Sequence, residues 1–206
     1  YTNSINFKQV VSSGGQSVDA GRAHSMVLKQ DGSLWATGYS IFGQLGDGST
    51  ETKSTFVQVV PSGVVSIAAG WYHSLILKQD GSVWAAGKNT YGELGDSSYT
   101  DRLSFTNVIS DSAKVIAAGF GHSLVVKQDG SLWSTGYNNH GQLGDGSQTD
   151  SKIFVKVISR GAQGATAGVY YSMMLKKDNG VTVRRQTSRE FKQQTFLLRS
   201  KTKLTC

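Results

Sequence analysis

Ala69-Gly70-Trp71-Tyr72-His73-Ser74 decides how this chain is read, because it is one copy in a series. It stands 49 residues after Ala20-Gly21-Arg22-Ala23-His24-Ser25 and 49 before Ala118-Gly119-Phe120-Gly121-His122-Ser123. Ala167-Gly168-Val169-Tyr170-Tyr171-Ser172 completes the series with no insertion. The same step relates Phe7, Phe56, Phe105 and Phe154. It also relates the segments Asp31–Trp35, Asp80–Trp84 and Asp129–Trp133, and again Gly43–Asp47, Gly92–Asp96 and Gly141–Asp145. Several motifs holding one period mark internal repetition, which sets the architecture before any local assignment does.

Within a unit the pattern is strand and turn. Ser74–Lys78, then Gln79-Asp80-Gly81, then Ser82–Ala86 reads as a hairpin. Asp-Gly suits a two-residue turn of the primed type, where glycine takes a positive φ without a Cβ clash. Leu124-Val125-Val126 is apolar on consecutive residues, as a strand covered on both faces is. Val64–Ala68 and Phe56–Val60 supply two further short strands. Four strands in about 50 residues is the size of one propeller blade. No helical period of useful length appears, so a helical solenoid is excluded. The expected fold is all-β: an incomplete β-propeller of four-stranded antiparallel blades on a 49-residue repeat.

The net charge of +7 invites a nucleic-acid reading until the charges are located. Residues 1–175 hold 12 Lys/Arg and 12 Asp/Glu, so the excess lies wholly beyond them. The repeat body therefore offers no net basic charge to nucleic acid. Cys206 is the only cysteine, so no intrachain disulfide forms. No apolar run reaches the roughly 18–20 residues of a membrane helix. After Lys177-Asp178 the repeat collapses, and Thr182 stands where tryptophan should recur. The expected division is a repeat array over 1–178 and an aberrant basic tail over 179–206, outside any regular blade. A reading-frame change near Asp178 is one hypothesis for the collapse, to be decided by reading the coding DNA. One nucleotide out of frame, the codons of Arg184–Gln193 permit glycine at 184 and 189 and leucine at 191. No function is assigned to the tail.

The residues resemble the regulator of chromosome condensation repeat family. Its Ala-Gly-x-x-His-Ser, its Asp-Gly-x-(Leu/Val)-(Trp/Tyr) hairpin and its Thr-Gly-x-Asn-x-x-Gly-Gln-Leu-Gly-Asp-Gly loop are met nearly word for word, the last at Thr135–Gly146. The resemblance covers residues 1 to about 178. It implies a ring of seven blades, of which three complete units and part of a fourth are present here. The chain is thus expected to be a piece of a longer array, with bare blade faces that favour self-association.

No catalytic residue, metal ligand or cofactor is expected. His24, His73 and His122 lie one per unit, and Tyr171 fills the fourth place. They read as buried groups tying strands together through both ring nitrogens. Gly38-x-x-x-x-Gly43 continues into Gln44-Leu45 and not into the Lys-Ser/Thr of a phosphate loop. The Gly-Asp-Gly-Ser turns lack the spaced acidic ligands of a calcium loop. Function is therefore sought where the units differ, between the fixed glycine and histidine: Arg22-Ala23, Trp71-Tyr72, Phe120-Gly121 and Val169-Tyr170. Arg22, Trp71, Tyr72, Phe120 and Tyr170 are the candidate partner-binding residues, aromatics being enriched at interface hot spots. A second variable strip is ranked below them: Tyr39–Phe42, Lys88–Tyr91 and Tyr137–His140. The expected function is a non-enzymatic protein-interaction scaffold, from a bacterium, with extracellular or cell-surface placement favoured over cytoplasmic. The resemblance also implies two alternatives, guanine-nucleotide exchange on a small GTPase and inhibition of a secreted enzyme.

Overall fold

In the computed structural model the described residues are 9–178, 180–185 and 196–197, and they form no helix. Phe7, most of the basic tail and most of the segment invoked for a frame change lie outside them. Each repeat makes one four-stranded sheet, with neighbouring strands antiparallel and in chain order. The first blade is β1 (Gly15–Ala20), β2 (His24–Lys29), β3 (Leu34–Gly38) and β4 (Lys53–Val60). The second is β5 (Val64–Ala69), β6 (His73–Lys78), β7 (Val83–Gly87) and β8 (Arg102–Ile109). The third is β9 (Ala113–Ala118), β10 (His122–Lys127), β11 (Leu132–Gly136) and β12 (Ser151–Ile158). The fourth is β13 (Ala162–Ala167), β14 (Tyr171–Lys176), β15 (Gly180–Arg185) and β16 (Phe196–Leu197). This is the incomplete propeller that the period implies.

β15 begins beyond residue 178 and pairs with β14 from Leu175↔Val181 to Tyr171↔Arg185. Backbone pairing thus runs past the expected edge of the array, in the register of β3, β7 and β11. The place of their tryptophan is taken by Thr182, whose buried hydroxyl finds no partner among the described residues.

The core lies between blades. Met26, Leu28, Leu34, Ala36 and Leu45 of the first blade close on Val64 and Ile76 of the second. Leu75, Leu77, Val83 and Leu94 meet Ala113, Ile116 and Val125 in the same way, and a third cluster joins the third and fourth blades. β6 and β10 are sandwiched, so all but their last residue is buried. That is why their apolar residues run without alternation. Among the described residues no blade covers the outer side of β1, which is largely exposed.

The β6–β7 hairpin corrects the turn assigned above. Gly81 N–H donates to Lys78 C=O (3.0 Å) and Lys78 N–H donates to Ser82 C=O (2.9 Å). The loop therefore has three residues, Gln79-Asp80-Gly81, and only Gly81 has a positive φ, of 82°. This is a type I turn followed by a left-handed glycine. Asp80 acts through its carboxylate, which accepts from Ser82 N–H (2.9 Å) and Oγ–H (2.6 Å). Ser82 Oγ in turn accepts from the Trp84 indole (2.9 Å).

The long loops from third to fourth strand reach over the following blade. Asp47 bridges to Ser104 and Asp96 to Ile153. Gly46 lies so close to Phe105 that a Cβ would fall 2.4 Å from the ring, which explains both the glycine and the repeated phenylalanine. These loops and the short β1–β2 type loops emerge together on one face.

Candidate functional site

The fixed residues build the frame of that face. His24 Nε2 lies 2.9 Å from Ser74 Oγ, and Ser74 Oγ–H donates to Gln44 C=O at 2.7 Å. His73–Ser123–Glu93 and His122–Ser172–Gln142 repeat the arrangement. Each serine spends its only proton on a carbonyl, so each histidine must donate from Nε2. Nδ1 then carries a lone pair, and in all three histidines it is buried without a partner among the described residues. The expectation of two bonded nitrogens is corrected to one among the described residues, and the strands so tied belong to neighbouring blades. Burial pushes His24 and His122 down to about 4. Burial and the neighbouring histidines push His73 down to about 3. The clasps are structural, and Tyr171 occupies the fourth position on an exposed edge.

Between these histidines and the preceding glycines, the short loops are tied head to tail. Arg22 N–H donates to Trp71 C=O (3.3 Å), Trp71 N–H to Gly119 C=O (3.2 Å) and Phe120 N–H to Gly168 C=O (3.2 Å). A Cβ on Gly70 would fall 2.2 Å from His73 Cε1, so glycine is required where the loop lies against the imidazole. Bound this way, the variable side chains leave the frame on a common face. A shallow cleft of about 260 Å³ runs beneath them, floored by the Ala-Gly pairs of all four units.

Four of the candidate residues meet directly. The Arg22 guanidinium lies 4.9 Å from the Trp71 ring centre. Trp71 meets Phe120 edge-on at 4.5 Å and 85°, and Phe120 meets Tyr170 at 5.8 Å. Tyr72 is set apart: Arg22 covers it at 5.4 Å, but its rings of contact are Tyr39 (6.3 Å) and Phe42 (5.3 Å). Tyr170 is 44% exposed, while Trp71, Tyr72 and Phe120 are half-buried.

The strip ranked second proves to be part of the same surface. Tyr91 packs on Tyr137 (4.7 Å) and Phe120 (6.2 Å), and His140 packs on Tyr170 (4.5 Å). Lys88 Nζ sits among Phe42, Tyr72 and Tyr91 at 5.5, 5.9 and 5.4 Å. Gly121 makes the interleaving possible, since a Cβ there would lie 3.1 Å from Tyr91. Tyr39, Phe42, Lys88, Tyr91, Tyr137 and His140 therefore share one surface with the first strip, from which the sequence kept them apart. Their signal was present as the registers 39/88/137 and 42/91/140, which share the period of the short loops.

Among the described residues no three His, Cys, Asp or Glu gather as metal ligands. Glu93 is a buried acidic residue near the face. Its siblings are Gln44 and Gln142, and its Oε2 accepts from Tyr91 N–H at 2.7 Å. Desolvation pushes it up to about 7.

The sequence models of the Regulator of chromosome condensation (RCC1) repeat match residues 16–44, 64–93 and 113–142, and residues 31–77 and 129–175. Among curated proteins none matches the chain. Human WBSCR16 is similar in structure, with a TM-score of 0.73 and 24% identity over 82% of this chain and 46% of that one. Prp20p from Saccharomyces cerevisiae, described with its binding to Gsp1p and histones, gives 0.70 and 24% over 85% and 44%. Yeast RCC1 (Prp20) bound by Kap60 gives 0.72 and 22% over 84% and 44%. The chain thus spans less than half the length of these proteins.

Proposed function

From the premise that this chain belongs to the regulator of chromosome condensation repeat family, we propose that it is a protein-binding propeller segment. It engages its partner through the aromatic belt of Arg22, Trp71, Tyr72, Phe120 and Tyr170, completed by Tyr91, Tyr137 and His140. One observation carries this reading. The positions at which the units disagree, scattered in sequence, come together as one connected set of rings on one face. Such clusters of large rings with an arginine have the composition of interface hot spots. The partners named with Prp20p are proteins too, which supports the class of partner and no particular one.

Guanine-nucleotide exchange, a secreted-enzyme target and extracellular placement rest on family resemblance and on no contact described above. An exchange assay on a Ran-like GTPase separates the first: acceleration of GDP release would replace the purely binding reading. The binding reading itself is tested by Trp71→Ala with Phe120→Ala. Loss of partner capture with a nearly unchanged melting temperature supports it, and capture that survives in a folded double variant overturns it.

A further inference from the structure

The belt is polarised along its length. Its two cations, Arg22 and Lys88, lie at the end formed by the first and second blades. At the positions equivalent to Arg22 stand Trp71, Phe120 and Val169, and at those equivalent to Lys88 stand Tyr39 and Tyr137. Among the residues whose side chains are described, the end formed by the third and fourth blades presents Phe120, Tyr137, His140 and Tyr170 with no lysine or arginine over their rings.

Neither cation has an ion-pair partner among the described residues. The ion pairs among the described residues are Lys53 with Asp47 and Glu51, and Arg102 with Asp96. The neighbouring carboxylates are turned to other work. Asp19 accepts from Ala20 N–H (2.9 Å) and from Ala69 N–H across the blade boundary (2.8 Å). Asp101 and Asp150 accept from Asn89 N–H and Asn138 N–H, and Asp145 from Ser147 and Asn138. Glu93 is buried beneath Tyr91. Arg22 and Lys88 are held over ring faces, where a cation keeps its charge and is available to an incoming anion.

Resting on the protein-binding reading above, we propose that the belt takes an acidic–apolar segment of a partner protein, its carboxylates on Arg22 and Lys88 and its apolar side chains on Phe120 and Tyr170. Charge complementarity chooses the occupant and fixes its direction. Single-stranded nucleic acid, the other class that joins cations to aromatics, needs free ring faces for bases. Here Trp71 is capped by Arg22 and edge-packed by Phe120, and Tyr72 lies under Arg22 and Lys88.

The test uses the full chain and fluorescence polarisation with three labelled probes. The first is a peptide of about 12 residues, reaching about 40 Å when extended, with glutamates in one half and leucine and tryptophan in the other. The second has lysine in place of every glutamate, and the third is an oligothymidylate of similar length. The first probe is expected to bind at least tenfold tighter than the second, and to weaken steeply between about 50 and about 300 mM NaCl. Arg22→Ala with Lys88→Ala should remove that preference, while Arg22→Lys retains most of it. Tyr170→Ser, at an exposed position, should weaken both peptides alike, and the melting temperature of each variant shows whether it is folded. Equal binding of both peptides, still lost on Trp71→Ala with Phe120→Ala, would overturn the acidic assignment and leave the protein-binding belt standing. Binding of no peptide, or of the oligothymidylate alone, would overturn both.

Discussion

The loop that leaves β7 and the loop that leaves β3 follow nearly the same path with different chemistry. In the second blade Asn89 is the bracket. Its Nδ2 donates to Asp96 Oδ1, Ser98 C=O and Oγ, and Thr100 C=O, and its Oδ1 accepts from Leu94 N–H. Asp101 holds the Asn89 backbone, and Arg102 pairs with Asp96 at 2.6 Å. In the first blade the Ser40 hydroxyl accepts a single long bond, from Leu45 N–H at 3.4 Å, and Lys53 spans Asp47 and Glu51 in place of Arg102. The leucine plug and the crossing to the next blade survive in both. The loop path is therefore held by the interblade contact of Leu45 or Leu94, and the polar bracket adds stability to a path already chosen.

Removing the bracket should separate the two loops most. Asn89→Ala strands several buried groups and should cost about 3 kcal/mol, against about 1 kcal/mol or less for Ser40→Ala. Chemical denaturation of the two variants side by side gives both values. Equal costs would mean that the bracket is redundant in the second blade as well.

The next largest difference comes from Glu93 against Gln44. Folding holds the Glu93 proton up to about pH 7, while an unfolded chain releases it near about 4.3. Across that window this residue makes stability fall as pH rises, by on the order of 3 kcal/mol in all. The clasp histidines act in the opposite sense. They stay neutral in the fold down to about 4, 3 and 4, but charge in the unfolded chain below about 6.5. Stability should thus climb from about pH 4 to about 6.5 and then dip slightly towards 8. Glu93→Gln should erase the dip and raise the melting temperature at pH 8 while changing little at pH 5. A dip that persists in that variant would assign it to another group.

Rebuilding the first loop in the image of the second should have a smaller effect. Ser40→Asn with Thr52→Asp is expected to add about 1 kcal/mol, read as a shift of the denaturation midpoint. A loss instead would show that the first loop has closed over the space the asparagine needs. Smallest of all, Lys53→Met should leave the denaturation midpoint nearly unchanged, because its pair with the exposed Glu51 is open to solvent. Titrating salt against both chains checks that the difference vanishes at high ionic strength.

The period and the strands could be read from sequence because each unit repeats its apolar run and its Asp-Gly turn at fixed offsets. The turn type could not. Asp-Gly serves both a two-residue and a three-residue loop, and what settles it is backbone pairing, Gly81 N–H to Lys78 C=O and Lys78 N–H to Ser82 C=O. Arg22, Trp71, Phe120 and Tyr170 were visible as variation between fixed residues. Tyr91, Tyr137 and His140 were visible only as a separate strip, since their meeting with Phe120 and Tyr170 depends on how one blade's long loop overhangs the next. Spacing along the chain reports which positions are equivalent. It does not report which equivalent sets share a face.

The histidine–serine clasp has a sense of travel: in every case the imidazole belongs to the earlier unit and the hydroxyl to the later. Units carrying both halves can therefore be exchanged in order without disturbing a single clasp, though none can be turned end for end. The belt has no such freedom, because exchanging the first unit with the second would carry Arg22 and Lys88 to new neighbours. Shuffling units would rewrite the message on the face while leaving the page intact.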